Sequence, residues 1–387
     1  MEKRKKLILS IIGGIVLYFV STGISYAAFH FLLGPTTPGL VSPLPLEEAR
    51  SRVDLAAPKT EACPLNGQLF TKGEKQIWEK QRPLTVMIEN HAEARPQSGL
   101  SRADIVYEAV AEGGITRFLA VFYCGAAARD TIIGPVRSAR TYYLDFASEY
   151  SDYPLYAHVG GANKPGLANA LGQIGDYGWL DKGNDLNQFS LGFPTFWRDY
   201  ERLDHPVATE HTMYSTTDKL YEIAHQRGLD AQDDEGNQWD ENFVSWQFKD
   251  DAQEKGEVAN IKFNFWSGYQ EYEVNWQYEG ENNYYLRFNG GQPHRDLNDD
   301  EQLKARVVVV QFMREKGPID ELKHLLYTTT GTGKTLVFQD GQVIKGTWTK
   351  TERQSRTIFK DSGGKEIKLN RGPIWIEIVP AGKIVNY

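Results

Sequence analysis

The hydrophobic positions of this chain begin with one long apolar segment. Residues 7–33 carry no charged side chain and follow a basic tip at residues 1–6. As a helix with a rise of about 1.5 Å per residue, this segment is about 40 Å long, which is enough to span a bilayer with some tilt. A signal peptide cut near Ser25-Tyr26-Ala27 is the alternative. We expect a retained anchor, because the apolar run continues beyond that point.

Apolar runs of strand and helix length alternate along residues 67–229 and indicate an α/β or α+β domain. Strands are predicted at Leu84–Ile88, Asp104–Ala111, Ile115–Tyr123, Ile132–Val136 and Leu155–Val159. Gly113-Gly114, between the second and third strands, is typical of a tight hairpin. Helices are predicted from Ala139 to about Tyr150 behind a Ser138 cap, near Leu167–Leu171, after Thr195, and from Ser215–Thr217 to Arg227.

Short β-type runs fill residues 258–387, where turn pairs such as Asn289-Gly290 and Asp340-Gly341 separate them. We expect a mainly β domain there, built as a sandwich or an open barrel. Residues 34–66 are rich in proline and are predicted to form an extended linker. Residues 230–257 are acidic and are predicted to connect the two domains. The aromatic side chains of this connection are expected to dock on a neighbouring surface: Phe243, Trp246 and Phe248.

The charge distribution predicts that both domains lie on the outer side of the cytoplasmic membrane, and the composition predicts that they are globular. The 387 residues suffice for two globular domains, and a hydrophobic content of 41% argues against disorder. The basic tip at residues 1–6 is expected to stay in the cytoplasm, which makes the chain a single-pass membrane protein with extracytoplasmic domains. A net charge of −8 disfavours nucleic acid or an anionic glycopolymer as a partner held by bulk charge. An anionic partner could still bind in a local basic pocket, which is the alternative to binding by bulk charge.

The chain has two cysteines, Cys63 and Cys124. An oxidising exterior allows a disulfide between them, and two separate buried thiols are the alternative. The first cysteine lies well beyond the apolar segment, which argues against a lipid anchor attached to a cysteine.

Several motifs resemble the YerB-like family, whose domains have no known function. Those of the first domain are Arg82-Pro83-Leu84, Glu89-Asn90, Ala94 to Leu100, Ala103 to Glu108, Glu112 to Phe118, Ile133 to Arg140 and His158 to Gly161. Those of the second domain are Tyr285-Leu286-Arg287, Asn289-Gly290, Pro293-His294, Gly341 to Trp348 and Ile374 to Glu377. The resemblance covers about residues 67–387. It implies a two-domain bacterial extracytoplasmic protein and no particular activity.

The Gly113-Gly114 hairpin carries the sharpest geometric prediction. With a two-residue turn, Glu108, Val110 and Glu112 share one face with Arg117, which lies diagonally between the two carboxylates. This arrangement is either a polar site or a structural ion cluster. Glu108 and Glu112 would lie about 13 Å apart along the strand, which is too far for the acid and base of a glycosidase.

Polar residues also follow three predicted strands: Glu89-Asn90, Arg137 with Arg140, and His158. Ligands in open α/β sheets bind beyond the carboxyl ends of the strands, so these residues are predicted to share a ligand site. Arg137 and Arg140 suit a carboxylate or phosphate, unless each pairs with an internal carboxylate such as Asp145. His158 is either part of such a site or a buried structural histidine.

One histidine cluster, formed by His205, Glu210 and His211, has a spacing that fits no standard zinc pattern. Neither a metal nor a cofactor is therefore predicted. Gly331 to Thr335 resembles a phosphate loop but lacks the glycine that the pattern requires at position 328. The candidate ligand-binding residues are Glu89, Asn90, Arg95, Glu108, Glu112, Arg117, Arg137, Arg140, His158 and His211.

The favoured hypothesis is a membrane-anchored envelope protein that binds a cell-wall or envelope ligand through its N-terminal domain. An envelope hydrolase that uses His158 or His211 on the same ligand is one alternative. A scaffold that docks another envelope protein through the β domain is the other. The expected partners are the cytoplasmic membrane, through residues 7–33, and the cell wall or an envelope protein. Nucleic acid is not expected.

Overall fold

A computed structural model describes residues 50–51 and 53–387. The apolar segment at residues 7–33 and the first part of the predicted linker, residues 34–49, lie outside the described residues. Within the described ranges, no helix is long and apolar enough to cross a membrane.

Strands dominate the N-terminal half of the described chain, as they dominate the rest. They are β1 (Glu61–Ala62), β2 (Leu69–Phe70), β3 (Leu84–Glu89), β4 (Ile105–Glu112), β5 (Ile115–Phe122), β6 (Ile132–Ile133), β7 (Leu155–His158), β8 (Asp185–Asn187), β9 (Trp197–Arg198) and β10 (Met213–Thr216). The helices are short: α1 (Lys72–Trp78), α2 (Thr141–Ala147), α3 (Ala170–Asp176), α4 (Trp179–Lys182), α5 (Gln188–Leu191) and α6 (Thr217–Gln226).

The C-terminal half consists of strands and turns. The strands are β11 (Phe248–Lys249), β12 (Asn260–Phe263), β13 (Val274–Glu279), β14 (Tyr284–Asn289), β15 (Gln292–Pro293), β16 (Lys304–Ala305), β17 (Val307–Met313), β18 (Glu315–Lys316), β19 (Leu326–Tyr327), β20 (Gly331–Gln339), β21 (Gln342–Lys350), β22 (Ile358–Asp361), β23 (Leu369–Asn370) and β24 (Ile374–Pro380). Turns of 3₁₀ helix occur at Ala92–Ala94, Leu100–Arg102, Thr209–His211 and Gln270–Tyr272.

A ten-stranded sheet joins the two halves. Its order is β22-β21-β20-β17-β24-β4-β5-β3-β7-β8, and β12 to β16 form a separate five-stranded sheet. The last strand, β24, lies between β17 and β4 and is parallel to both. The C-terminal strands therefore extend the N-terminal sheet, and the architecture is mainly β with a few helices.

The strand directions bring several carboxyl ends to one edge of this sheet. β17, β24 and β4 are parallel, β4 and β3 both run antiparallel to β5, and β3, β7 and β8 are parallel. The strands β3, β4, β7, β8, β17 and β24 consequently all end at the same edge, which we call the carboxyl edge. Such edges are where ligands bind in open sheets with parallel strands.

The helix that follows Ser138 starts later than the sequence pattern predicts. Helix α2 begins at Thr141 behind Arg140, and no side chain caps it. The preceding residues are extended because their backbone groups bond to neighbouring segments: the Arg137 N–H donates to the Met87 carbonyl and the Ala139 N–H to the Gly160 carbonyl. Ser138 lies in this extended segment, so it is not a helix cap.

Two other predicted helices are displaced. Near Leu167–Leu171 the helix begins at Ala170, because Asn169 caps it through a bond from the Gly172 N–H. After Thr195 the chain forms strand β9, which pairs with β10, rather than a helix. The predicted helix at Ser215–Thr217 is present as α6, with Thr216 as its cap.

A bulge changes the predicted hairpin between β4 and β5. Gly113 and Gly114 form the turn with positive φ values of 58° and 84°. The register then shifts between Val110 and Glu112, so Arg117 pairs with Ala109. One extra residue in a strand moves the side chains beyond it to the opposite face of the sheet. Glu108 therefore lies on the opposite face from Arg117. The prediction that Glu108, Val110 and Glu112 share a face with Arg117 is therefore wrong for Glu108 and Val110.

A disulfide ties the first described strands to the end of β5. Cys63 and Cys124 are bonded, with 6.0 Å between their Cα atoms. The buried Asp104 lies beside them and accepts bonds from the N–H groups of Tyr123 and Gly125. Burial raises the pKa of Asp104 to about 7 despite these bonds.

Aromatic residues of the predicted acidic connection pack on both halves. The Trp246 indole is buried and donates to the Thr357 carbonyl at 2.7 Å. Phe243 stacks on Tyr150, with ring centroids 6.3 Å apart.

Candidate functional site

Six charged or titratable side chains lie together at the carboxyl edge, and we call them the edge network. They are Glu89, Glu112, Arg117, Arg137, Arg140 and His211. Glu89 ends β3 and pairs in register with Arg117 on β5, and Glu112 ends β4. Six of the ten candidates predicted from the sequence are thereby brought together.

Glu89 is the centre of the first half of the edge network. Its carboxylate accepts a bond from Arg137 Nε at 3.0 Å and contacts His211 Nδ1 at 2.7 Å. The bond to Glu89 raises the pKa of His211, although partial burial opposes the rise. The Arg137 side chain is 25% exposed. Arg137 is therefore the more accessible cation of this half, since the His211 side chain is 5% exposed.

Glu112 is the centre of the second half. One carboxylate oxygen lies 2.7 Å from Arg117 Nη2 and the other 2.8 Å from Arg140 Nη2. Burial raises the pKa of Glu112, but the two guanidinium groups outweigh it and hold that pKa at about 2. Arg140 thus pairs with an internal carboxylate, and that partner is Glu112 rather than Asp145, which accepts bonds from Tyr177 and Thr329.

Glu108 belongs to a different group on the other face of the sheet, the Arg287 cluster, which consists of Glu108, Arg287 and Glu377. All three side chains are fully buried. The guanidinium donates to both carboxylates, with 2.7 Å between Arg287 Nη1 and Glu377 Oε1. Burial raises the pKa of Glu377, and Glu108 adds to the rise while Arg287 opposes it.

Aromatic and histidine side chains enclose the Arg287 cluster. The guanidinium lies 4.4 Å from the ring centroid of Trp375 and 5.1 Å from that of Trp276. Its Nε donates to Nδ1 of His294 at 3.0 Å. Burial, with the Arg287 charge, holds the pKa of His294 well below its usual range, so a neutral ring accepts this bond.

Asn90 and Arg95 connect the N-terminal half of the chain to its C-terminal half. Asn90 Nδ2 donates to Thr116 Oγ1 at 2.7 Å, while its Oδ1 accepts from Asn289 Nδ2 at 2.9 Å and from Arg95 Nε at 3.0 Å. Arg95 Nη1 reaches the Glu271 carbonyl at 2.7 Å. Burial lowers the pKa of Arg95 to about 10. These contacts are structural links between strand ends.

His158 ends β7 and is completely buried. Nε2 lies 2.6 Å from the Asp185 carboxylate and Nδ1 lies 2.6 Å from the Gly160 carbonyl. Both ring nitrogens are therefore engaged within the protein, and the ring anchors β7 to β8.

Two residues absent from the sequence prediction, His91 and Glu93, extend the edge network towards solvent. The His91 ring stacks on His211, with centroids 4.8 Å apart and an interplanar angle of 17°. Glu93 Oε2 lies 3.8 Å from His211 Nε2. No sequence signal linked them to His211, because the two segments are distant along the chain.

A basic cavity of about 560 Å³ lies at the same edge, beyond the ends of β17 and β24. Its lining includes Arg314, Lys334, Lys383, Trp348 and the three threonines Thr328, Thr330 and Thr332. The three cations form no ion pair with the part of the chain that the structure describes. None of the ten predicted site residues lines this cavity.

The fold and the carboxyl edge define a class of mainly β, two-domain proteins whose halves share one sheet. Comparison with protein families gives two matches, each described as a protein of unknown function (DUF3048): the N-terminal domain at residues 70–230 and the C-terminal domain at residues 261–376. The two matches cover most of the described chain. This protein therefore belongs to the DUF3048 family, as the resemblance in its motifs indicates.

The relatives are similar along most of the chain. A Bacillus subtilis (strain 168) protein named "Putative lipoprotein YerB" is 29% identical over 321 residues, which cover 82% of this chain and 86% of that protein. The crystal structure of YerB protein from Bacillus subtilis matches with a TM-score of 0.67 and 26% identity. The match covers 85% of this chain and all of that one.

Proposed function

We propose that this chain is a membrane-anchored envelope protein that binds an anionic envelope ligand in the basic cavity. The location is supported by the apolar segment at residues 7–33, by its basic tip, and by the similarity to a protein named as a lipoprotein. The disulfide between Cys63 and Cys124 agrees with an oxidising exterior.

The observation that carries the ligand chemistry is the set of unpaired cations around the cavity. Arg314 and Lys334 are exposed and Lys383 is half-buried, and all three line the cavity. A cleft lined by one sign of charge concentrates counter-ions even on a protein with net charge −8. The hydroxyls of Thr328, Thr330 and Thr332 add hydrogen-bonding groups beside these cations, as expected for a site that binds a sugar-containing anion.

A second candidate is the N-terminal edge network, as predicted from the sequence. It is favoured by Arg137, whose side chain is 25% exposed although its Nε donates to Glu89. Arg117 and Arg140 contribute less, because both pair with Glu112 and their side chains are only 3% and 10% exposed.

The test is retention of the purified full chain on cell-wall sacculi. We expect the chain to pellet with sacculi that keep their anionic polymers and to stay in solution with sacculi from which acid has removed them. The double variant Lys334→Ala/Lys383→Ala should bind at least about 10-fold more weakly, because it removes two charge-assisted contacts.

The matched control is Lys365→Ala/Lys368→Ala, which changes the charge equally at two exposed lysines of the same half. Equal retention of the two double variants would overturn the proposal that the ligand binds in the basic cavity. Loss of retention in Arg137→Ala alone would place the ligand at the edge network. Release of defined wall fragments would establish the hydrolase alternative.

A further inference from the structure

We propose that His91, Glu93 and His211 bind a divalent transition-metal ion of the zinc type. This site goes beyond the proposed ligand binding and does not depend on it. The ligand atoms that the three side chains offer all lie within 4.8 Å of one another. A zinc ion with bonds of about 2.0–2.2 Å to nitrogen and oxygen fits among atoms at such separations after small side-chain rotations.

Local structure brings the three side chains together. His91 directly follows β3 and precedes the 3₁₀ turn Ala92–Ala94, which carries Glu93. His211 ends the 3₁₀ turn Thr209–His211. The two imidazole rings are stacked, and a ligand nitrogen of each lies within 4.8 Å of a Glu93 carboxylate oxygen. His211 is buried, whereas Glu93 is 63% exposed, which leaves the site open to solvent on one side.

Two hydrogen-bond acceptors, one on His211 and one on Glu93, face each other, and a cation between them would satisfy both. Because an ionised carboxylate can only accept, the 2.7 Å contact with Glu89 places a proton on His211 Nδ1. In the neutral ring, Nε2 is then an acceptor, and it faces a second acceptor, Glu93 Oε2, at 3.8 Å. Either a proton or a metal ion between these atoms satisfies both. A metal ion between these atoms also engages the His91 ring, because a ligand nitrogen of that ring lies within 4.8 Å of both.

The contacts behind His211 are those of a metal-bound histidine. Such histidines usually donate their other ring N–H to a carboxylate, which fixes the ring and raises its basicity. Glu89 supplies that carboxylate, and Arg137 Nε in turn holds Glu89 at 3.0 Å. Glu89 is therefore a positioning residue for the proposed site.

The donor set selects the kind of metal. Two imidazoles and one carboxylate suit zinc and its first-row neighbours, whereas magnesium and calcium prefer sites built from oxygen alone. Three protein ligands leave a tetrahedral ion one position for water or for an oxygen of a bound ligand.

The test measures zinc binding to the purified full chain, stripped of metal with a chelator and titrated with Zn²⁺ against a competing chromophoric chelator. We expect one zinc ion per chain. His91→Ala and Glu93→Gln should each lower the affinity at least about 10-fold, because each removes a ligand. Glu89→Gln keeps the side-chain shape and should lower the affinity about 10-fold through its effect on His211.

His225→Ala is the matched control, since His225 is an exposed histidine paired with Asp230 and lies outside the ligand set. It should bind zinc as the unmodified chain does. Failure of the unmodified chain to bind zinc would overturn the site, as would an equal affinity of His91→Ala, Glu93→Gln and His225→Ala. Retention on sacculi is measured separately, so the two proposals can fail independently.

Discussion

The Arg287 cluster and the edge network both combine arginines with glutamates, yet only the Arg287 cluster is buried throughout. In the Arg287 cluster all three side chains are fully buried under tryptophan rings. In the edge network Arg137 is 25% exposed and the adjoining Glu93 is 63% exposed. Burial makes a charged group costly to leave unpaired, whereas exposure lets water replace a lost partner. The first arrangement therefore holds the fold, whereas the partly exposed members of the second lose less stability when a partner is removed.

The Arg287 cluster also crosses from one half of the chain to the other, because Glu108 comes from β4 while Arg287 and Glu377 come from β14 and β24. A second buried group does the same: Glu149 contacts Lys350 Nζ at 3.1 Å and Arg356 Nη1 at 3.3 Å. Buried charges in this protein thus join its two family domains.

The largest expected effect comes from breaking the buried side of the comparison. Arg287→Met leaves two buried carboxylates without their cation and should lower the free energy of unfolding by about 3–5 kcal/mol. Denaturant unfolding of the full chain, followed by tryptophan fluorescence, measures this loss.

Arg295→Met is the matched control for that variant, since Arg295 is 48% exposed and pairs with the exposed Asp300. Its cost should stay within about 0.5 kcal/mol. Similar costs for the two variants would remove the distinction between buried and exposed pairs.

The stability contribution of Glu112, a carboxylate that is partly exposed, should depend on pH. Its pKa of about 2 in the folded chain lies below the usual 4.5, so the carboxylate stabilises the fold above pH 4.5 and loses that contribution as the pH falls towards 2. The stability difference between the unmodified chain and Glu112→Gln should therefore shrink by about 1–2 kcal/mol on acidification, a range that allows for solvent screening. Unfolding curves at several pH values measure it, and a constant difference would contradict the assignment.

The smallest effect is expected at the exposed end of the edge network. Arg137→Met should cost less than about 1 kcal/mol, because Arg137 is partly solvated and Glu89 keeps its contact with His211. The same unfolding experiment measures this cost. A loss as large as that of Arg287→Met would mean that the edge network, too, is primarily structural.

Local patterns in the sequence predict many of the strands, and they predict the position of Glu89 because it ends β3 at the carboxyl edge. Arg137 reaches that edge in another way, since the segment before it bridges antiparallel to β3 through Val136 and Ile88. The bulge that turns Glu108 away was not predictable, since alternation assumes one residue per pleat. Arg287 did leave a signal: in β14 it occupies the buried phase of the alternation, between Tyr285 and Asn289. Its partners could not be identified, because they come from strands remote in the chain.

The position of β24 has a consequence for how the chain is made. Until this last strand emerges, β4 and β17 have no partner on the sides that it later fills. The N-terminal domain therefore cannot complete its sheet as soon as it is synthesised, in contrast to domains that fold in order from the N-terminus. Before β24 joins the sheet, the newly made chain therefore passes through a stage with two open apolar strand edges, at which edge-to-edge aggregation is favoured.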